Sequence, residues 1–511
     1  MNRILKNTLT VGAFTTLSRV LGLVREMLQS RFVGAGVEQS AFTLAFALPN
    51  MARKLFGEGA LTAAFVPVFK GEVEAKAMES AQKLARNVMT MAMLMLVSIV
   101  AIAVAGLESA LALRFGFEFS ERTLLTIRLV KTLLPYMIFI CGAAFGMGVL
   151  NAMGRFKASS AMPCLLNVFW IGILAWIGFN PELQLDQRVH RIATAILVAG
   201  AFQMAFMFWR MHCAGMTPGV SFRGWSNPKV RLVWRNTAIA ALGAGAVQIN
   251  YMLDQVLGQI AAPWAAGVIG YAERLMDLPL GVIGVAFGTV LLPTFSGYFA
   301  KGDVEGAREA FVSSSRHMLF AMIPAATGLG ILAPEVTSVI YHGGAFDDVA
   351  VMRVSRAVAV YAVGLGFFGL QKSLVPWFQA QNDMKTPLRV SVATVCLNAS
   401  LNILAVVCLP EEWRHVGLAA STVFCSGCGI SILACAARRR NGSLGLRRLA
   451  VPVAKMFFGS LLMAAAIFAL RRFVCLSPVF SLVLSIAVGG AVYFASMAAM
   501  GMKWRLKANR Q

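Results

Sequence analysis

The run NVMTMAMLMLVSIVAIAVAG, from Asn87 to Gly106, contains no charged residue. As a helix rising 1.5 Å per residue it would be about 30 Å long, the thickness of a bilayer's hydrocarbon core. A helix pairs its own backbone amides and so can cross lipid alone. A barrel strand would alternate apolar and polar residues over about ten positions, and this run does not. Comparable runs recur, and the pattern predicts helices near 8–29, 40–69, 84–106, 129–151, 159–179, 192–209, 236–259, 267–298, 317–341, 357–380, 390–409, 415–437, 456–470 and 478–502. The chain therefore reads as an all-α polytopic membrane protein with about fourteen transmembrane helices.

Composition agrees with that reading. Of 511 residues, 58% are hydrophobic and 14% charged, and the mean hydropathy is +0.71. A soluble domain carries about 25% charged residues, so no stretch has the polar surface a soluble domain needs. Lys and Arg number 46 against 23 Asp and Glu, a net charge of +23. In a soluble chain that excess would suggest nucleic acid. Here positive loops on the inner side and a cationic interior facing an anionic substrate account for it, and no nucleic-acid partner is expected. With both ends inside, the inner loops and tails hold more than twice the Lys and Arg of the outer loops, which favours N-in and C-in. Arg3 and Lys6 precede an apolar stretch as in a signal peptide, but Ser18, Arg19 and Arg25 interrupt it and no cleavage site follows, so it reads as a retained helix. The nine Cys have no framework spacing, and Cys425 with Cys428 lacks a second pair for a metal or redox site.

A weak internal repeat organises the helices. Phe65-Val66-Pro67-Val68-Phe69 ends the second, and Leu291-Leu292-Pro293-Thr294-Phe295 ends the eighth. Gly154-Arg155-Phe156-Lys157 before Pro163 resembles Asn382-Asp383-Met384-Lys385 before Pro387. Six helices separate each pair, an even number, so the copies share an orientation. This parallel pseudo-repeat predicts two six-helix lobes, 1–212 and 213–440, with a site between them and two extra C-terminal helices in 441–511.

An arginine at the bilayer centre costs about 2.5 to 3.5 kcal/mol, so such residues should line a watery cavity. Arg19, Arg25 and Glu26 fall in the first predicted helix, and Glu273, Arg274 and Asp277 in the eighth. Arg53 and Lys54 stand near Pro49 and Gly57, where the second helix should break. Guanidinium forks suit a phosphate or pyrophosphate, with carboxylates holding them in place. Ion pairs locking the halves together are the alternative, and for Arg53 and Lys54 the alternative is snorkelling to the interface. Asp254 in the seventh helix, with Asn398 and Asn402 one turn apart in the eleventh, offers oxygen ligands that suit a hard cation such as Na+. A hydrogen-bonded packing cluster is the other reading of these three. No GxxxxGK[ST], HExxH or GxSxG occurs, and His190, His212, His317, His342 and His415 lack metal spacing, so no enzyme and no other cofactor is expected. Gly142 with Gly146, and Gly284 with Gly288, match GxxxG and predict close helix packing.

Ser18-Arg19-Val20-Leu21-Gly22 with Arg25-Glu26, Leu48-Pro49-Asn50 with Arg53, Glu58-Gly59-Ala60, Phe65-Val66-Pro67, Glu273-Arg274 through Pro279, Gly281, Gly284, Gly288 and Leu291-Leu292-Pro293, and Asp383-Met384-Lys385-Thr386-Pro387 together resemble the MviN/MurJ lipid II flippases. That family belongs to the multidrug/oligosaccharidyl-lipid/polysaccharide exporter superfamily, and the likeness runs from the first helix to the last. It implies fourteen helices in two lobes and a transporter of the bacterial inner membrane. Its substrate would be lipid II, an undecaprenyl-pyrophosphate-linked disaccharide-pentapeptide, carried from the cytoplasmic to the outer leaflet by alternating access for peptidoglycan synthesis. Partners would be lipid II, membrane lipids and the cell-wall synthesis machinery. The family's essential cavity arginines fall on Arg19, Arg25, Arg53 and Arg274, with Glu26, Glu273 and Asp277 as acidic companions. The last two helices would form a groove for the lipid tail. A sodium site would fall on Asp254, Asn398 and Asn402, where the family has a second carboxylate in place of Asn402. The chain also departs at Ser40-Ala41-Phe42, where the family often has Asp-Ala-Phe, and at Trp377-Phe378, an aromatic pair placed one position early. The alternatives are an exporter of another polyprenyl-linked oligosaccharide and a membrane glycosyltransferase using the same lipid. The latter needs an outward catalytic carboxylate, for which the outer loops offer scattered candidates such as Asp347, Asp348, Glu411 and Glu412.

Overall fold

The computed structural model describes residues 3–57, 60–75, 77–113, 120–221, 227–473 and 477–502. Glu58 and Gly59 lie outside the described residues, and so does the packing at Gly284 and Gly288. Two compact units divide the chain, Met1–Gly267 with Gly343–Asp347, and Val268–His342 with Asp348–Gln511. The first holds α1 (Arg3–Val33), α2 (Val37–Ala52), a π-helical turn (Arg53–Gly57), α3 (Ala60–Glu74), α4 (Met78–Leu113), α5 (Glu121–Leu133), α6 (Tyr136–Ala152), α7 (Phe156–Gly178), α8 (Leu185–His212) and α9 (Pro228–Ala261). α10 (Ala265–Ala300) begins at the boundary and runs into the second. There follow α11 (Val304–Ile331), α12 (Ala333–Tyr341), α13 (Asp348–Gln379), α14 (Lys385–Cys408), α15 (Glu411–Asn441), α16 (Arg447–Phe473) and α17 (Pro478–Ala499).

Apart from a few boundary residues and Glu58-Gly59, every predicted span falls on helix, and the chain is a multi-pass membrane protein. Among the described residues nine helices are long and apolar enough to cross a bilayer, with α5 and α6 taken together as one, or ten if α11 and α12 also count as one. That pair departs from the single span expected over 317–341, because it bends by 74°. Pro334 explains the bend: it has no N–H to continue α11 and suits the first turn of a new helix. The second and fourth spans break for a similar reason, the second beyond Pro49 and the fourth at Pro135, between α5 and α6. α9 packs on α2 and α3, which places it in the first compact unit, whereas the internal repeat divides the sequence at 212.

Helix packing follows the small residues. A Cβ on Gly142 would lie 2.8 Å from Met204 Sδ, and one on Gly146 3.2 Å from Met207 Cβ, so α6 and α8 approach closely at the expected GxxxG. The core of the first unit is anchored by Phe42, Tyr136 and Trp170 in one cluster and by Phe65, Phe69 and Phe145 in another. In the second unit Trp377 is 1% exposed and meets Phe295, Phe299 and Phe311 edge-on. The displaced aromatic pair is therefore a packing anchor in this chain. Ser40, fully buried, accepts a hydrogen bond from the Gly267 amide at 3.0 Å, so a neutral hydroxyl serves where the family often places a carboxylate. Along α16 and α17, Phe457, Phe458, Leu461, Phe480 and Val483 are exposed, as lipid-facing surfaces require.

Gly34 closes α1 at φ +78°, its amide bonded to Ser30 O at 2.8 Å. A Cβ there would sit 2.3 Å from the Ala345 carbonyl oxygen, whereas one on Gly215, at φ +83°, would meet nothing within 4 Å. Gly34→Ala should destabilise the protein by about 1 to 3 kcal/mol, and Gly215→Ala by less, in thermal unfolding of the purified protein in detergent. Equal melting temperatures for the two variants would remove the steric role of Gly34.

Candidate functional site

In the first unit α1 lies along α7, and polar side chains at their contact orient Arg25. Its Nη1 donates to Asn167 Oδ1 at 2.9 Å and its Nη2 to Glu26 Oε1 at 2.5 Å. The guanidinium carbon stands 4.5 Å from the centre of the Trp170 ring, a cation–π distance. Asn167 and Trp170 are three apart on α7 and share a face. Each is tied back to the first two helices: Asn167 Nδ2 donates to Ser18 O at 3.1 Å, and Trp170 Nε1 to Gln29 Oε1 at 3.0 Å. Gln29 Nε2 in turn donates to Gln39 Oε1 at 2.9 Å. The Arg25 side chain is 13% exposed. Two of its N–H groups are engaged by Asn167 and Glu26, and a guanidinium offers five donors, so the fork keeps donors for an anion. Sequence reading found Arg25 and Glu26 but missed Asn167, Trp170 and Gln29. Polar atoms at these positions of apolar helices were the available signal.

Arg53 opens the π turn beyond Pro49. Its Nη2 and Nε reach Asn50 Oδ1 at 2.9 and 3.3 Å, so the Leu48-Pro49-Asn50 motif supplies both the break and the acceptor. Such π turns are frequent at functional sites. The Lys54 ammonium lies 5.3 Å over the Tyr251 ring of α9. Arg19 is on an exposed face of α1.

In the second unit Tyr271, Ala272 and Leu275 bury one side of α10, and Arg274 and Asp277 are exposed, with Glu273 half-buried. Arg274 and Asp277 are three apart and share a face, as Glu273 and Asp277 do at four apart. The structure thus gathers Arg25 with Glu26 in one unit and groups Glu273, Arg274 and Asp277 on one helix in the other.

Immediately beside that charged stretch, Leu275, Leu278 and Pro279 line a cavity of about 450 Å³ in the second unit. Its walls continue over Phe320 and Pro324 of α11, Met463 of α16, and Ile486 and Tyr493 of α17. Tyr493 donates its hydroxyl proton to Phe320 O at 2.8 Å, so its polar atom is satisfied and the lining is apolar.

The three oxygen-bearing residues read as cation ligands fall in two groups. Asp254, buried in α9, accepts a hydrogen bond from Asn250 Nδ2 at 3.2 Å. In the second unit Asn402 Nδ2 donates to Asn398 Oδ1 at 3.0 Å, and Asn398 Nδ2 to Thr422 Oγ1 at 3.3 Å, which adds a hydroxyl missed in the sequence. Among the described residues no group of three or more His, Cys, Asp or Glu could hold a metal ion.

A family model described as lipid II flippase MurJ matches residues 29–487. A protein of Rhizobium tropici named a probable lipid II flippase MurJ is 33% identical over 419 residues, 81% of this chain and 78% of that one. A solved structure titled as lipid II flippase MurJ in an inward closed conformation shares the fold at a TM-score of 0.77 and 22% identity, covering 96% of this chain and 98% of its own. An inward-facing multidrug resistance MATE family transporter follows at 0.71 and 15% identity, covering 84% of this chain and 95% of its own.

Proposed function

This chain belongs to the MurJ family of lipid II flippases, and we propose that it carries lipid II from the cytoplasmic to the outer leaflet of a bacterial inner membrane by alternating access. It is a transporter and not an enzyme. The observation that carries the reading is the Arg25 guanidinium, fixed by Asn167, Glu26 and Trp170 with donors to spare inside an apolar bundle. A pyrophosphate diester presents oxygens in the geometry such a fork accepts. Arg274, with Asp277 on its face, would supply a second fork during transport, and Arg19 and Arg53 would add positive charge along the route. In this reading the pseudo-repeat lobes 1–212 and 213–440 rock about the head group, both chain ends lie in the cytoplasm, and the cell-wall synthesis machinery receives the product.

Arg25→Ala or Arg274→Ala should abolish complementation of a flippase-depleted strain with protein still in the membrane, and Lys should restore little, because a point charge lacks the fork. Asn167→Ala should leave Arg25 charged but loosely held and lower the initial flipping rate about tenfold, the loss of one hydrogen bond to a charged group. Full transport by both arginine variants, in a leaflet-specific assay of labelled lipid II in vesicles, would remove the pyrophosphate role. Release of another polyprenyl-linked oligosaccharide in the same assay would favour the runner-up substrate.

The polyprenyl tail is assigned to the apolar cavity of 441–511 and its neighbours, which begins where the charged stretch of α10 ends. A photocrosslinker at Ile486 or Phe494 should capture the lipid tail. Capture confined to α4 or α7 would refute the assignment.

A chain without a nucleotide-binding loop must draw on a gradient or the membrane potential, and one charge moved through 100 mV is worth about 2.3 kcal/mol. Asp254 in the first unit is the proposed sensor, and Asn398 and Asn402 in the second unit are proposed separately as oxygen ligands for Na+. Their oxygens are of the kind that suits a hard cation. Asp254→Asn should slow flipping without weakening lipid II binding, and the wild-type rate should respond to an imposed potential. An unchanged rate, with or without a sodium gradient, would make Asp254 a packing residue.

A further inference from the structure

A second cavity, of about 630 Å³, lies in the second unit between the turn that joins α13 to α14 and the last turns of α15. Its wall on α15 is a stripe: Ser431, Cys435 and Arg439 recur every four residues, as do Ile432, Ala436 and Arg440. From Ser431 to Arg439 the stripe is about 12 Å long, changing from uncharged residues to two arginines at the helix end. Across from it, Phe378 and Thr386 complete the lining.

The one carboxylate in the lining is already committed. Asp383 Oδ1 accepts the Lys385 and Thr386 amides at 3.1 and 3.0 Å, while its Oδ2 accepts the Thr386 hydroxyl at 2.7 Å and Arg440 Nη1 at 2.6 Å. Burial alone would push its carboxyl up, but the bonds from Thr386 and the Arg440 charge hold it below the ordinary carboxylate range, so it stays ionised and neutralises one guanidinium. Arg439 is exposed, and Lys385 and Arg389 on the first turns of α14 are exposed as well, which leaves the rim positive. A rim that is cationic above and apolar below has the polarity of a phospholipid.

We propose that this pocket binds an anionic phospholipid of the adjoining leaflet, its phosphate on Arg439 and Arg440 and the start of an acyl chain on Ile432 and Ala436. Asp383 orients Arg440 for this purpose, which gives the Asp383-Met384-Lys385-Thr386 motif a task separate from transport. On the N-in and C-in topology the leaflet is the cytoplasmic one, but the binding does not depend on that assignment.

Cys435 lines the pocket and is exposed, so its alkylation reports occupancy, with exposed Cys396 and Cys408 as internal references. The full-length protein in a nonionic detergent is treated with a maleimide, and each cysteine is followed by peptide mass spectrometry. Dihexanoyl phosphatidylglycerol should slow modification of Cys435 several-fold, and neither dihexanoyl phosphatidylcholine nor glycerol 3-phosphate should. Arg439→Gln should weaken the protective affinity about fivefold, the share one arginine contributes at an anionic surface, and Arg439→Lys should retain most of it. Equal protection by phosphatidylcholine would mean a merely apolar groove, and protection by glycerol 3-phosphate alone would mean a soluble-anion site; either overturns the proposal. So does wild-type protection in Arg439→Gln. Should that variant fail to fold, the comparison of the two lipids on the wild-type chain decides.

Discussion

A guanidinium inside a bilayer has to be enclosed by acceptors, aromatic faces or water, because lipid offers it nothing. The environment of Arg25 is organised around that requirement. Asn167 and Glu26 accept from it and Trp170 covers one face, and each partner is then held by a further bond, ending at the Ser18 carbonyl and at Gln29 and Gln39. The network spans α1, α2 and α7, so a single cation fixes how three helices of the first unit meet. Its geometry also limits what the cation can do. A fully paired arginine would be a strut; one with donors left over can both hold the helices and receive an anion.

The same backbone constraint governs where the helices break. Pro49, Pro135 and Pro334 each remove an amide that the preceding helix would have used, and each stands at or near an interruption. Beyond Pro49 the chain passes into a π turn, and Arg53 begins that turn with its guanidinium on Asn50. A break in a bilayer leaves backbone groups to satisfy, so it persists only where neighbouring polar atoms can do so. That is why the second predicted span carries both its discontinuity and Arg53, with its acceptor Asn50, within a few residues.

Much of this was legible in the sequence because lipid imposes few solutions. Uncharged runs such as 87–106 identified helices by length alone, and charges within apolar helices, at Arg25 and Arg274, marked the candidate site residues. What was not legible depends on contacts between distant segments. Asn167 and Trp170 look unremarkable in an apolar helix until α7 is laid against α1. Ser40 was noticed only as a departure, and its role appeared with the Gly267 amide 227 residues away. The 74° bend between α11 and α12 had its cause in view, at Pro334, but hydropathy averaged over the span concealed it.

Along α10 a charged stretch adjoins an apolar one, the arrangement that the proposed site for a lipid's head and tail requires. Glu273, Arg274 and Asp277 occupy one turn, and Leu275, Leu278 and Pro279 begin the apolar cavity within the same two turns. An amphiphile with a charged pyrophosphate next to a hydrocarbon chain has its polarity change over a similar distance. A site for such a molecule needs the change from guanidinium to hydrocarbon to be abrupt, since a gradual one would leave either phosphate in an apolar wall or isoprenoid against charge. One helix that carries a guanidinium and carboxylates on one face and apolar residues on the next meets this need without any loop, which is the structure a lipid-facing segment permits.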